Sequence, residues 1–267
     1  MTTTIINRQR LTIRAGRGTL AFCVSVSDGQ AILFEPYVVK SGVSMAANLR
    51  EAFKTADLLQ QLPRRVRVLV DSDVLMMPVE QFDENTCEAM YRHAFPGKES
   101  DGVFFDVLPD LNSVALFSLS KDMRLVIDDH FQDVSIMAAL SPLWRHLHRR
   151  SYTGSHQKLY GYFHERRMEV CCFQKNRFKF CNSFDATQPH DALYYLLYVW
   201  KQLQLERDAD ELHLVGDIPG EQWLTGELHR YLRKVYVINA AADFNNHPVT
   251  EIKGMPYDLM TLHAQGR

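Results

Sequence analysis

Long hydrophobic runs are missing from this chain of 267 residues. No stretch approaches the roughly 20 apolar residues that a membrane-spanning helix needs. A charge of one sign is missing too. The formal net charge is -2, which supplies no field to draw nucleic acid or an anionic membrane. Cysteine is scarce and odd in number: Cys23, Cys87, Cys171, Cys172 and Cys181. Residues 1–10 hold Ile5 and Ile6 but no apolar core of a secretory leader. A disulfide framework is therefore not expected, and free thiols in a reducing cytoplasm are. Several catalytic signatures are also missing. There is no Gly-x-Ser-x-Gly elbow, Walker loop, His-Glu-x-x-His or Cys-x-x-Cys. What is present is a globular composition, 46% apolar and 23% charged. Its length suits one large domain or two ordinary ones.

The first half opens as a meander. Leu11 to Ala15 is strand-like, Gly16-Arg17-Gly18 makes a turn, and Thr19 to Val26 is rich in β-branched and aromatic residues. Ser27-Asp28-Gly29 reads as a hairpin turn, and a strand resumes from Ala31 to Val39. Ser44 can cap a helix through Leu59, with Leu49, Ala52, Phe53 and Ala56 on one face and Pro63 as its stop. Val66, Val68 and Val70 alternate into a fourth strand that ends at Asp71-Ser72-Asp73. An apolar segment, 74–79, leads to a helix from Asp83 to Ala94. Strand-like runs follow at 102–108, 113–119 and 123–127, and then a helix over 133–150. Residues 151–155 read as the connection between halves.

The second half repeats the order. Lys158 to His164, Arg167 to Gln174 and Arg177 to Phe184 are three strands joined by tight turns, which forces antiparallel neighbours. Thr187 or Asp185 can cap a helix with Pro189 in its first turn. Leu212, Leu214 and Val215 form a strand, Gly216 to Gly220 a turn, 221–234 a helix, and Tyr236 to Ile238 a last strand. Residues 241–267 read as a partly ordered tail. The expected organisation is an N-terminal lobe over 8–152 and a C-terminal lobe over 153–240.

A meander, a helix and further strands, done twice, is not a Rossmann alternation. The fold class is α/β (α+β) with mixed sheets in two lobes. Together with Met77-Pro-Val-Glu-Gln-Phe-Asp83 and the glycine turn after Val215, this order resembles the actin-like ATPase fold, which is ribonuclease H-like. It is most similar to an uncharacterised bacterial family, a domain of unknown function assigned to that fold. The resemblance covers residues 8–240. It implies a phosphate loop at the first hairpin of each lobe, with an Asp two residues before a Gly to organise a metal-bound water. Gly16 matches the glycine, but Arg14 stands where the Asp belongs, and Thr19 is the nearest hydroxyl. In the second lobe Gly161 matches, Leu159 replaces the Asp, and the turn 164–167 is bulky. Gly216 fits an adenosine motif whose second glycine is replaced by Asp217. The cofactor-binding candidates are therefore Arg14, Gly16, Thr19, Gly216 and Asp217. No catalytic residue, metal ligand or resident cofactor is expected, with ATP and Mg²⁺ as the alternative.

Other constellations read more simply as structure. Cys171 and Cys172 point to opposite sheet faces and cannot share one ion, so they and Cys181 read as small buried apolar residues. His146, His148, His164 and Glu165 read as solvated surface. The basic runs 64–67, 145–150 and 166–167 read as solvated faces. Trp144 and Tyr152 keep an RNA contact as an alternative. The leading expectation is a cytoplasmic, non-catalytic protein that binds an unidentified protein or itself, with nucleic acid and membrane disfavoured. The alternatives are an ATP-binding protein with an altered phosphate site and an RNA-associated accessory factor.

Overall fold

The computed structural model describes residues 10–26, 31–60, 65–153, 156–174 and 177–264. The expected turns at 27–29 and 175–176, the stop at Pro63 and the basic residue Arg64 lie outside them. The chain forms two compact units. One comprises 1–108, 113–142 and 247–267, and the other 109–112 and 143–246.

In the first unit, β1 (Arg10–Ala15), β2 (Leu20–Val26) and β3 (Ala31–Tyr37) form the expected meander. With β4 (Arg65–Val70) and β8 (Asp133–Ala138) they make a sheet of order β3-β2-β1-β4-β8. β1 is antiparallel to β2 but parallel to β4, and β4 is parallel to β8. Alternation along each strand splits the side chains between two faces. Leu11, Ile13, Phe22, Val24, Val66 and Val68 join one buried cluster, which takes in Leu49 and Ala52 of α1 (Met45–Thr55). The opposite face carries Cys23 and Leu69, packed with Val249, Met255 and Leu259 from the end of the chain. A second sheet, β5-β7-β6, pairs β5 (Val74–Pro78), β7 (Ser113–Ser120) and β6 (Asp101–Leu108). α2 (Asp57–Gln60) extends the α1 region, and α3 (Glu84–Ala94) begins at its Asp83 cap.

Three expectations fail here. Residues 123–127 are not a strand but lie in α4 (Lys121–His130), where Met123, Val126 and Ile127 bury one face and Ser120 accepts from the Met123 N–H as cap. A run as short as Leu125-Val126-Ile127 satisfies both strand and helix patterns, and the cap decides. The expected helix over 133–150 is instead β8 followed by α5 (Leu140–Ser151). The segment read as a partly ordered tail is folded over its described residues. Within it a 3-10 turn (Pro248–Glu251) and α9 (Tyr257–Ala264) bury Val249, Tyr257, Asp258, Leu259 and Thr261.

In the second unit, β9 (Lys158–His164), β10 (Arg167–Gln174), β11 (Arg177–Asp185), β12 (Glu211–Gly216) and β13 (Val235–Val237) form the order β11-β10-β9-β12-β13. The connectivity repeats that of the first sheet, with β9 antiparallel to β10 and parallel to β12. One face, with Leu159, Phe163, Val170, Leu212 and Leu214, packs with α6 (Pro189–Gln202) and α7 (Glu221–Tyr231). The α6 cap is Gln188, with no side-chain bond, and not Thr187 or Asp185. Pro189 at the first helical position pre-sets the backbone there. A four-residue helix, α8 (Ala240–Asp243), follows β13. Among the described residues no helix is long and apolar enough to cross a membrane.

Candidate functional site

The first hairpin is closed by the Gly16 N–H, which donates to the Thr19 carbonyl at 2.8 Å. Just before it, Arg14 projects from β1 on the face shared with Leu69. That face is covered, and Arg14 is 2% exposed. A buried guanidinium needs a partner, and Asp258 in the first turn of α9 supplies it. Arg14 Nε donates to the two Asp258 oxygens at 3.0 and 3.1 Å, and Nη2 donates at 2.7 Å. Arg14 Nη1 reaches the Thr19 hydroxyl at 3.2 Å, and Asp71 lies 3.9 Å away. Arg17 pairs with Asp73 at 2.6 Å and with Asp71 at 3.7 Å. Two arginines and three aspartates thus interlock at the ends of β1 and β4. Arg14 and Thr19 thus meet directly, and the acid that pairs with Arg14 lies in the segment read as a partly ordered tail.

In the second unit, Gly216 is dictated by the backbone. Its φ is +96°, and a Cβ there would lie 2.1 Å from the Phe163 carbonyl oxygen. The same oxygen accepts from the Asp217 N–H at 2.9 Å. Gly216 therefore lets the end of β12 close onto β9, while the Asp217 side chain is exposed. A Cβ on Gly161 would lie 3.2 and 3.3 Å from Leu214 and Leu196, which crowd that position. The bulky turn is real. Glu165 and Arg166 take positive φ values of 44° and 66°, a two-residue hairpin built without glycine. Arg14, Gly16 and Thr19 belong to one unit, and Gly216 and Asp217 to the other.

Burial pushes the Cys23, Cys172 and Cys181 thiols up to about 12 and raises Cys171 as well; Cys23, Cys171 and Cys172 are inert core residues, whereas Cys181 is only half-buried, against expectation. Cys171 and Cys172 do face opposite ways. Cys172 joins the core beneath α6, and Cys171 sits opposite Cys181 across the β10–β11 pair. The histidines depart from expectation. His146 meets Asp243 at 2.7 Å, while His148 and His164 are 1% and 5% exposed. They are polar members of packed interiors and not solvated surface. Trp144 is buried and unavailable to RNA, whereas Tyr152 is exposed. Sequence reading missed Asp258, Asp73 and Arg17. The one available signal was the acidic residue at the start of a short apolar helix, Tyr257 to Leu262.

A family model described as protein of unknown function (DUF3822) matches residues 1–235. Among solved structures, a Bacteroides thetaiotaomicron protein with actin-like ATPase fold and unknown function is 26% identical. It covers 95% of this chain and 99% of its own, at a TM-score of 0.85. A chain of the PilM–PilN type IV pilus biogenesis complex is 13% identical, covering 96% of this chain and 97% of its own at a TM-score of 0.58. No curated protein matches the chain. The fold is that of the actin-like ATPases.

Proposed function

The chain belongs to the DUF3822 family of unknown function, and from that membership and the Arg14 cluster we propose a protein-binding module on an actin-like ATPase scaffold, not an ATPase. The observation that carries this reading is the Arg14–Asp258 pair. Where a nucleotide enzyme of this fold needs an acid to organise a metal-bound water, this chain holds a buried guanidinium. Both oxygens of the nearest acid on α9 already accept from it. A divalent cation there would meet a like charge in a poorly solvated setting, where repulsion is weakly screened.

Two observations favour a protein partner. Tyr194, Tyr198, Trp223 and Tyr231 on α6 and α7 stand 62%, 47%, 39% and 50% exposed. Aromatic side chains of this kind are enriched at protein interfaces. A structural relative also works within a two-protein assembly, the PilM–PilN complex.

Calorimetric titration of the full chain with ATP and Mg²⁺ tests the reading. No binding is expected at millimolar ATP. Micromolar binding that weakens in Thr19→Val or Asp217→Asn overturns it and restores a nucleotide site. Cross-linked partners of the full chain are expected to fall away in a Tyr194→Ser/Tyr198→Ser double variant.

A further inference from the structure

The second unit holds a cavity of ≈ 720 Å³. It lies on the sheet face opposite α6 and α7, over the first residues of β9 and β12. Strand register builds its floor. Tyr160, His213 and Tyr236 are lateral neighbours on β9, β12 and β13, so their side chains share one face and one row. The rings form a ladder. Tyr160 and His213 stack at 5.2 Å, and His213 and Tyr236 lie 5.1 Å apart at 30°. Tyr236 ends the row and is 46% exposed.

The charges around this floor already cancel. Arg150 pairs with Asp243. Lys158 donates to the Thr153 hydroxyl at 2.7 Å and lies 3.7 Å from Glu211. Three hydrogen-bonding atoms are left over, one of them Nε of the Asp243-paired Arg150. The Tyr160 hydroxyl and His213 Nδ1 are buried and have no protein partner, on side chains 0% and 8% exposed. His213 Nε2 lies 2.9 Å from Glu211. A carboxylate only accepts, so Nε2 carries the ring proton. Burial lowers the His213 pKa, keeping the ring neutral and leaving Nδ1 a bare acceptor. The Tyr160 hydroxyl is free to donate. Leaving such groups unmet carries a desolvation penalty, and a polar cavity invites a molecule that meets them.

From this arrangement we infer that the second unit binds a small, neutral, planar heterocycle at this cavity, through an edge that pairs an N–H donor with a carbonyl or ring-nitrogen acceptor. Neutrality follows from the matched charges, and the planar donor–acceptor edge from the unmet Tyr160 hydroxyl and His213 Nδ1. The ligand N–H meets His213 Nδ1 and its acceptor takes the Tyr160 hydroxyl. The inference does not depend on the protein-binding reading, because none of its residues belongs to the Arg14 cluster or to the exposed aromatic faces of α6 and α7.

The test is calorimetry on the full chain with uracil, cytosine, hypoxanthine and nicotinamide as probes. At least one is expected to bind below millimolar concentration. Tyr160→Phe, which deletes only the unmet hydroxyl, is expected to weaken that probe at least tenfold while leaving the melting temperature of the free protein unchanged or raised. No binding by any of the four at 10 mM overturns the inference. So does equal binding by Tyr160→Phe. A variant that melts well below the parent also overturns it, because the hydroxyl then serves the fold itself. His213→Phe, which keeps a ring in the ladder but removes Nδ1, supplies a second independent readout and is expected to weaken the same probe.

Discussion

At the scale of single residues, Arg14 is the position where this chain parts from a nucleotide enzyme of its fold. Its buried charge is met most closely by Asp258, through three short contacts. Removing one member strands the other in a buried site, at a cost of about 3–5 kcal/mol. Arg14→Leu and Asp258→Leu are each expected to lower stability to urea by about that amount, and the double variant by clearly less than the sum. Strict additivity in the double-mutant cycle would show that the two side chains are energetically independent. Arg14 was legible in the sequence as an anomaly, a cation two residues before Gly16. Its partner was not, because 244 residues separate the two. Gly216 shows the reverse. It was singled out for a nucleotide motif, yet any Cβ there would collide with the Phe163 carbonyl oxygen, which accounts for a glycine.

At the scale of elements, strands with regular alternation were read correctly and short apolar runs were not. The Val66, Val68 and Val70 alternation yields β4 because one face of that strand packs inward and the other is covered separately. Residues 121–130 carry an apolar core, Leu125-Val126-Ile127, that fits either period. The helix is chosen by Ser120, whose side chain accepts from the Met123 N–H at 3.2 Å. Ser120→Ala is therefore expected to cost about 1 kcal/mol, measured as a shift in the urea midpoint, with Ser120→Asp restoring most of it. An unchanged midpoint would mean that packing of Met123, Val126 and Ile127 alone sets the helix. The same ambiguity hid β8, whose pattern Val134, Ile136 and Ala138 was absorbed into the helix that follows.

At the scale of the whole molecule, the first unit is assembled from distant parts of the chain, with residues 247–267 returning to it after the second unit is complete. Deleting 247–267 therefore uncovers Cys23 and Leu69 and strands the Arg14 guanidinium at once. The truncated chain is expected to lose its cooperative thermal transition or to aggregate. A truncated chain that melts within a few degrees of the full one would refute the structural role of α9. The duplicated strand order and the actin-like architecture were determined by the sequence itself, because alternation, turn residues and loop length act over a few neighbouring positions. So were the departures at Arg14 and Leu159 and the mixed sheets. The tertiary structure alone decided the order of the end of the chain, the Arg14–Asp258 pair and the ring-floored cavity of the second unit. Each depends on residues far apart in the chain meeting across a sheet face, and no local pattern encodes which distant side chain will arrive there.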